Sequence, residues 1–453
     1  MEHYIFYCKL SLLAVLSLIT ACCMLSRRWY VNLAAFLACL SGETFLAHLF
    51  FPGYMLCPAA ASFIILFLSR IWDLSRTPAK GNGADPIRLP VRSGIRESRL
   101  EFHYHYSNFL VYGGAGSGKT KSIGKWLLSE YMRLGFAGFI YDFKDTDYTR
   151  TAYNLIKRHR YPHKFYYVSF DRPERSYRFN PLKVVRDRTE LIQLMEDVLL
   201  ALLPKKEQQN EWVAGGLGIL RGVAFRFWDE FPEHCTLPHI LAFIMTASAR
   251  QLSLFLQQNL VSEMLAGAYL KAEGSEKTQA SYLSTLCNNL ATISQNEEIA
   301  YVLSGDDFDF NLIDPETPKL FAVSNNFSKN SVYAPVISML MTISARQFSM
   351  QNRVPFVYFL DEMTTVNIKN FETLPSVLRE YKAAFILLTQ SGAKLENLYG
   401  KLDRSSVEAN FGNMFLGRTK DVEALKYYPL FFGKEEKERR SRSSGKSGAS
   451  SSS

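Results

Sequence analysis

The chain has 453 residues and 47% hydrophobic content, which is ordinary for a globular protein, although the excess is concentrated before residue 72. Its formal charge of +9 suits nucleic acid or an anionic membrane surface, and equally a solvated surface with no partner. The seven cysteines show no CxxC or Cys/His spacing, which argues against a zinc site and against a secreted disulfide scaffold.

The first 72 residues predict a transmembrane anchor of two or three helices. Three apolar stretches are long enough or nearly long enough to cross a bilayer: Ile5–Leu25, Trp29–Phe51 and Tyr54–Leu68. Basic residues follow the first and the last stretch, so the positive-inside rule favours three crossings with an outside N-terminus over two with an inside one. Residues 73–100, rich in Pro, Gly and basic residues, predict a linker to a separate domain.

The strongest motif follows an apolar strand predicted over Asn108–Tyr112. It fits G-x-x-x-x-G-K-[ST] and precedes a helix predicted over Lys121–Leu134, so a chance glycine-rich turn is the weaker reading. Its glycines allow backbone N–H groups to wrap around phosphates at a helix N-terminus. We expect ATP to bind here, with the lysine on the β- and γ-phosphates and the threonine on Mg²⁺. The motif comprises Gly113, Gly114, Ala115, Gly116, Ser117, Gly118, Lys119 and Thr120.

Two further strand ends carry polar side chains that suit nucleotide hydrolysis. The buried strand predicted over Val354–Leu360 ends in Asp361 and Glu362, which we expect to hold Mg²⁺ and to act as general base, respectively. A solvated acidic pair is the alternative. Another predicted strand, Ala384–Thr389, ends in Gln390, which is placed to sense the γ-phosphate or to form a plain turn.

The remaining pattern predicts an α/β fold with a mostly parallel sheet and helices on both faces. Residues 101–184 and 301–433 form the two parts of a P-loop nucleotide-binding core. They supply further strands at Ala137–Tyr141, Lys164–Ser169, Lys319–Ser324 and Asn413–Gly417. Residues 185–300 carry helical patterns, one of them running over His239–Gln258, and no convincing strand, which predicts an inserted all-α domain. Residues 434–453 form a basic, Ser-rich tail predicted to be disordered.

Taken together, these motifs resemble the type IV secretion coupling proteins of the TraG/TraD family, which are similar to the HerA/FtsK class of hexameric translocases. The resemblance covers roughly residues 100 to 433. It is carried by GGAGSGKT, the strand end Asp142-Phe-Lys144, Phe179-Asn-Pro-Leu182 before the helical insertion, and LPSVLREYKAAFILLTQS after the Asp-Glu strand. It implies a RecA-like core that uses ATP and Mg²⁺.

Individual residues match the family's motifs. Lys119 and Thr120 match the nucleotide-binding motif, Asp361 and Glu362 the metal and base pair, and Gln390 the family's glutamine. Arg379 resembles the arginine finger that the family inserts into the neighbouring subunit's site. An ordinary surface arginine is the alternative, and Arg404 and Arg418 are competing candidates.

The resemblance implies a membrane-anchored ATPase that recruits relaxase-bound single-stranded DNA and drives it through a type IV secretion channel during conjugation. Its expected partners are single-stranded DNA, the relaxase, the channel proteins and the inner membrane, and its expected state is a homo-hexamer. The implied location is the bacterial inner membrane, multi-pass, with a cytoplasmic ATPase domain. A double-stranded DNA translocase of the FtsK/HerA type and a receptor for secreted protein effectors are the alternatives.

Overall fold

A computed structural model of the protein describes residues 85–432, apart from 94–95, 145 and 204–206. A β-hairpin comes first, formed by β1 (Ile87–Ser93) and β2 (Arg96–Phe102), which pair antiparallel. Seven further strands make up the main sheet: β3 (Phe109–Tyr112), β4 (Ala137–Asp142), β5 (Lys164–Ser169), β6 (Lys319–Ser324), β7 (Phe356–Asp361), β8 (Ala383–Thr389) and β9 (Asn413–Leu416).

The main sheet has the order β5-β6-β4-β7-β8-β3-β9, and all six of its pairings are parallel. The five strands between the edge strands β5 and β9 are buried on both faces and need apolar side chains in both directions, which is why they are continuous apolar runs rather than alternating ones. The strands predicted from the sequence all occur here. Because β3 lies between β8 and β9, and β7 lies beside β8, the carboxyl ends of β3, β7 and β8 meet at one edge.

Two apolar clusters cover the two faces of the sheet. Along β3, Phe109 and Val111 belong to one cluster, whereas Leu110 and Tyr112 belong to the other. The first cluster also contains buried residues of β1 and of helices α1 (Lys125–Arg133) and α2 (Asp147–His159). The second cluster is larger. All the helices between β5 and β7 contribute apolar residues to it, and so do three further helices near the C-terminus.

Eight helices lie between β5 and β6, and the described residues there contain no strand: α3 (Arg188–Ala201), α4 (Glu211–Glu230), α5 (Leu237–Thr246), α6 (Ala249–Gln257), α7 (Leu260–Leu265), α8 (Gly267–Lys271), α9 (Glu276–Ser294) and α10 (Glu297–Leu303). Their small residues allow close packing. A Cβ on Gly215 of α4 would collide with the Tyr282 ring of α9. Helices therefore fill the part of the chain where the sequence predicts an all-α insertion, and that they form an inserted domain with the predicted limits stays a prediction.

Five helices follow β6: α11 (Asn330–Arg346), α12 (Leu374–Glu380), α13 (Gly392–Tyr399), α14 (Lys401–Ala409) and α15 (Val422–Phe432). Helix α11 packs under the sheet through Val336 and Leu340, both of which are buried. Helix α12 ends just before β8, so it lies at the amino end of that strand, away from the edge where the phosphate-type motif begins.

The structure corrects two local predictions. The region predicted as a linker contains β1 and part of β2, because Ile87 and Leu89 are buried and the Arg88 N–H donates to Glu130 Oε2 of α1 at 2.8 Å. The helical pattern over residues 239–258 is two helices rather than one. Ser248 caps the second, accepting from the Gln251 N–H while the Gln251 side chain accepts from the Ser248 N–H.

The prediction of a multi-pass inner-membrane protein is wrong on the structural evidence. Within residues 85–432, gaps excepted, no helix has both the length and the apolar character to cross a bilayer. The longest of these helices, α4, buries its apolar residues against the rest of the protein. It also carries charged residues, which a membrane-spanning helix rarely does: Glu211, Arg221, Arg226, Asp229 and Glu230. The three predicted spans and the predicted tail lie outside the described residues.

Candidate functional site

The glycine-rich segment 113–120 forms the turn between β3 and the helical turn that begins at Lys119 and runs into α1. Gly116 and Gly118 have φ of +71° and +89°, where a residue with a Cβ is strained. A Cβ on Gly113 would collide with the Ser117 hydroxyl. The glycines thus permit a tight turn that brings a helix N-terminus to the carboxyl edge of the sheet, which is the arrangement that binds phosphate.

Backbone hydrogen bonds fix this turn to the neighbouring strands. The Gly113 N–H donates to the Thr389 carbonyl at the end of β8, at 3.2 Å. The Gly114 N–H donates to the Arg418 carbonyl, two residues beyond β9, at 3.0 Å. Since β3 is paired with both strands, the turn is held from both sides.

Lys119 and Glu362 form a buried ion pair at this edge. Lys119 Nζ donates to Glu362 Oε1 at 2.9 Å, and the two side chains are only 5% and 3% exposed. Glu362 follows the last residue of β7 with φ of +48° and ψ of +46°, a left-handed conformation that costs free energy in a residue other than glycine. Such strain is commonly retained where it positions a functional side chain.

Asp361, the last residue of β7, has a carboxylate that is buried and makes no hydrogen bond within the described part of the chain. Burial is the largest influence on it and raises its pKa to about 7. The charges of Glu362 and Asp142 raise the pKa further, while Lys144 and Lys119 lower it. A buried carboxylate without donors is unfavourable unless a cation completes it.

The unsatisfied groups at this edge fit a nucleotide with Mg²⁺. Besides both Asp361 oxygens, the Glu362 Oε2 atom and the Ser117 hydroxyl are buried without a partner among the described residues. Mg²⁺ in nucleotide sites is commonly held by one or two carboxylates together with the phosphates. Oxygen ligands, the buried Lys119 cation and a glycine turn therefore lie together at this edge.

Asp142, at the end of β4, is a further carboxylate at this edge that was identified only as part of the family pattern. Its Oδ2 accepts from the Thr149 N–H at 2.8 Å and from the Thr149 hydroxyl at 2.9 Å. Burial raises the pKa of Asp142, and these hydrogen bonds oppose the shift. The sequence signal for it was the strand-end position, since Tyr141 is paired with Leu360 in neighbouring β7. Thr149 gave no such signal.

The other predicted residues are placed differently. Gln390 Nε2 lies 3.5 Å from Glu362 Oε1, longer than an ordinary hydrogen bond, and Thr120 follows Lys119 at the turn. Arg379 is exposed in α12 and is not at this site. It precedes β8, whose seven residues span about 20 Å to the carboxyl edge.

The two competing arginines also have distinct surroundings. Arg404 pairs with Glu396 at 2.8 Å and with Glu408 at 3.0 Å, so its guanidinium is already used within the fold. Arg418 has an exposed side chain, and its carbonyl contacts the glycine turn of the same chain.

A parallel α/β sheet defines a protein of the P-loop class when a glycine-rich turn follows one strand and an Asp-Glu pair stands at the end of a strand two positions away, as here at β3 and β7. The chain belongs to the family described as the type IV secretion-system coupling protein DNA-binding domain, which matches residues 100–453. The family expected from the sequence is thereby confirmed. No curated protein matches the chain.

Several solved structures share this fold. The bacterial conjugative coupling protein TrwBdeltaN70 in complex with sulphate is 17% identical, with a TM-score of 0.53 over 69% of this chain and 70% of that one. The plasmid coupling protein TrwB with ADP and Mg²⁺ is 16% identical, with a TM-score of 0.54 over 70% and 71%. TrwB with the ATP analogue ADPNP is 17% identical, with a TM-score of 0.54 over 72% and 78%. At these identities the likeness shows the fold.

Proposed function

We propose that this chain binds ATP with Mg²⁺ and hydrolyses it at the edge where β3, β7 and β8 end. The observation that carries the proposal is the buried Lys119–Glu362 pair, 2.9 Å long, beside the unpartnered carboxylate of Asp361. Structures of the same fold that hold ADP with Mg²⁺ or an ATP analogue support it. The chemistry needs a phosphate-binding cation, a metal ligand and a base, and these three side chains are adjacent.

Each residue has a proposed role that follows from its position. When ATP binds, Lys119 would break its ion pair with Glu362 and contact the β- and γ-phosphates instead. The Glu362 carboxylate would then be free to accept a proton from the attacking water. Thr120 and Asp361 hold Mg²⁺, which supplies charge neutralisation on the phosphate oxygens when it is bound. Gln390, near Glu362, orients the water. The backbone N–H groups of 113–120 surround the phosphates.

The cellular role that we propose is that of a conjugative coupling protein. The chain would recruit relaxase-bound single-stranded DNA and drive it toward a type IV secretion channel as a homo-hexamer. Membership of the coupling protein family supports this role, and so does the net charge of +9. Arg379, remote from its own site and exposed, would act in the site of a neighbouring subunit.

The test is the ATPase rate of the full chain with and without single-stranded DNA. We expect Mg²⁺-dependent hydrolysis that DNA stimulates, and loss of both in a Glu362→Gln variant. Hydrolysis without any DNA effect would contradict the DNA-pumping role and favour a receptor for protein effectors. Absence of hydrolysis in the wild-type chain under all conditions would contradict the ATPase assignment itself.

A further inference from the structure

A cavity of about 560 Å³ lies against β5, the edge strand at the opposite side of the sheet from β9. Helix α2, strand β5 and the segment after β5 form its walls. Arginine and tyrosine side chains dominate the lining: Arg150, Tyr153, Tyr167, Arg172, Arg175 and Tyr177. The nucleotide site described above does not include any of these residues.

Helix α2 presents an aromatic ring between cations on its outer face. Arg150, Tyr153 and Asn154 line the cavity with the spacing i, i+3, i+4 that places residues on one helical face. Tyr153 is 56% exposed, a large fraction for an aromatic side chain. One turn further along, Lys157 Nζ lies 5.8 Å from the centre of the Tyr153 ring. The ring is therefore accessible for stacking and has positive charge near both ends.

The opposite wall is a fixed part of the sheet edge. Phe165 and Tyr167 of β5 line the cavity, whereas Tyr166 points to the other face and stacks on Phe308 at 4.1 Å. The Tyr177 N–H donates to the Tyr167 carbonyl at 3.0 Å, so the segment after β5 folds back along the strand. The Tyr177 ring, 44% exposed, lies edge-to-face against the Tyr166 ring at 5.1 Å, so it packs on the face of β5 away from Tyr167.

The charge of the cavity has one sign. Its described lining residues include three arginines and no Asp or Glu. Arg150 makes no ion pair with a described residue. Arg175 lies 3.9 Å from Glu174, with both side chains about two-thirds exposed, and such a pair contributes little. Positive charge together with accessible aromatic rings is the combination that binds single-stranded nucleic acid, through phosphates and stacked bases.

We infer that this cavity is a binding site for single-stranded DNA, with a base stacked on Tyr153 and its phosphates on Arg150 and Arg175. The inference rests on the proposed function and gives it a location. A duplex fits less well, because its bases are stacked on one another and cannot reach a tyrosine ring without unstacking.

One contact connects this cavity to the nucleotide site. Thr149 lines the cavity, and both its N–H and its hydroxyl donate to Asp142 at the carboxyl edge of the sheet. DNA held against α2 would therefore contact the same wall as Thr149, whose hydrogen bonds reach Asp142 at the edge of the sheet that also carries Asp361. We therefore expect cavity variants to lose DNA stimulation of ATP hydrolysis while they keep the basal rate.

The experiment measures the affinity of the full chain for a fluorescent oligothymidylate of about 16 nucleotides by anisotropy, at several salt concentrations. Tyr153→Ala should weaken binding roughly tenfold and leave the salt dependence unchanged, because it removes stacking. Arg150→Gln should lower the slope of log affinity against log salt by about 0.7, because it removes a phosphate contact. The matched controls are Tyr104→Ala and Arg158→Gln, which lie outside the cavity. Tyr104 is an exposed tyrosine between β2 and β3, and Arg158 is an exposed arginine of α2.

The outcomes separate this inference from the proposed function. If the wild-type chain binds the oligonucleotide and the two cavity variants bind it as the controls do, the site is wrong while the function stands. If a cavity variant changes the oligomeric state instead of the affinity, the cavity is an interface between copies, and the inference is overturned. Photo-cross-linking of a bromodeoxyuridine oligonucleotide to Tyr153, identified by peptide mass spectrometry, would support it directly.

Discussion

Lys119 Nζ donates to Glu362 Oε1 at 2.9 Å, across 243 residues of chain, in a place where both side chains are nearly inaccessible to water. The lysine that is expected to bind phosphate and the carboxylate that is expected to act as base are thus hydrogen-bonded to each other in this structure. A buried charge that loses its partner is strongly unfavourable. Binding and stability are therefore coupled at this pair, which leads to the first two predictions.

Lys119→Ala should lower the free energy of unfolding of the nucleotide-free protein by about 3 kcal/mol, because Glu362 is left buried without a cation. Urea denaturation followed by circular dichroism measures this loss. The matched control is Lys119→Ala combined with Glu362→Gln, which removes the uncompensated charge and should recover much of the stability. A single variant as stable as the wild type would show that the pair is open to water in solution.

Glu362→Gln should have opposite effects on binding and on hydrolysis. It removes the carboxylate that competes with phosphate for Lys119, so the affinity for a fluorescent ATP analogue should rise. Hydrolysis should fall by roughly 10²- to 10⁴-fold, because an amide cannot accept the proton of the attacking water. Glu396→Gln serves as control, since its carboxylate pairs with Arg404 and not with the phosphate-binding turn. Unchanged hydrolysis in Glu362→Gln would remove Glu362 as the base.

The pKa of Asp361 gives a prediction with a defined sign. Its folded-state pKa, about 7, lies above the ordinary value of 3.8, so the folded protein holds this proton more tightly than the unfolded chain. Stability from this group is therefore present below about pH 4 and is lost as the pH rises through about 7.

Asp361→Asn removes this penalty. We expect it to raise the melting temperature of the nucleotide-free protein, by more at pH 8 than at pH 5, while it abolishes Mg²⁺-dependent hydrolysis. Differential scanning fluorimetry at the two pH values provides the measurement. An equal rise in melting temperature at both pH values would contradict the prediction. It would show that folding does not raise the pKa of Asp361.

Much of the fold was predictable because its physical causes are local. The five central strands of the main sheet are buried on both faces, so each is a continuous apolar run, whereas the edge strands β5 and β9 are only partly buried. The hairpin at Ile87–Phe102 was missed because its prolines and basic residues give it the composition of a linker. Its burial depends on contacts with α1, about 40 residues later, which no local pattern shows.

The site was predictable residue by residue but not as an arrangement. The motif around Lys119 and the Asp361-Glu362 pair could be identified separately, since each follows a strand. Their ion pair depends on the order of strands in the sheet, which puts only β8 between β3 and β7, and no local pattern encodes that order. The sequence therefore suggested that Lys119 serves the ligand alone, while the structure shows that it also balances a buried carboxylate.

Asp197 of α3 joins the helical insertion to the core and provides a test of that junction. Its carboxylate, 8% exposed, pairs with Arg346 of α11 at 2.7 Å and with Lys369 at 2.9 Å. Asp197→Ala should lower the free energy of unfolding by about 3 kcal/mol, because Arg346 loses a buried partner. Lys369→Ala, which removes the half-exposed partner, should cost less than about 1 kcal/mol. Equal urea midpoints for the two variants would contradict this assignment.

Arg379 provides the test of the proposed homo-hexamer, because α12 holds this arginine away from the nucleotide site of its own chain. If it completes the site of a neighbouring subunit, Arg379→Ala should bind nucleotide normally and hydrolyse it on the order of 10³-fold more slowly. Arg353→Ala, which changes another exposed arginine just before β7, is the matched control and should leave the rate unchanged. A fully active Arg379→Ala variant would make this residue an ordinary surface arginine.

Mixing two inactive variants distinguishes action in the neighbouring subunit from action within one chain. An Arg379→Ala subunit keeps Glu362, and a Glu362→Gln subunit keeps Arg379. Where the first contributes the nucleotide site and the second the arginine, one complete site is rebuilt, so mixed assemblies should show activity that neither variant has alone. If co-assembly is demonstrated by differential tagging and no activity returns, Arg379 does not act across the interface. Arg418, exposed beside the glycine turn, would then be the arginine to examine next, because Arg404 is already paired with two carboxylates.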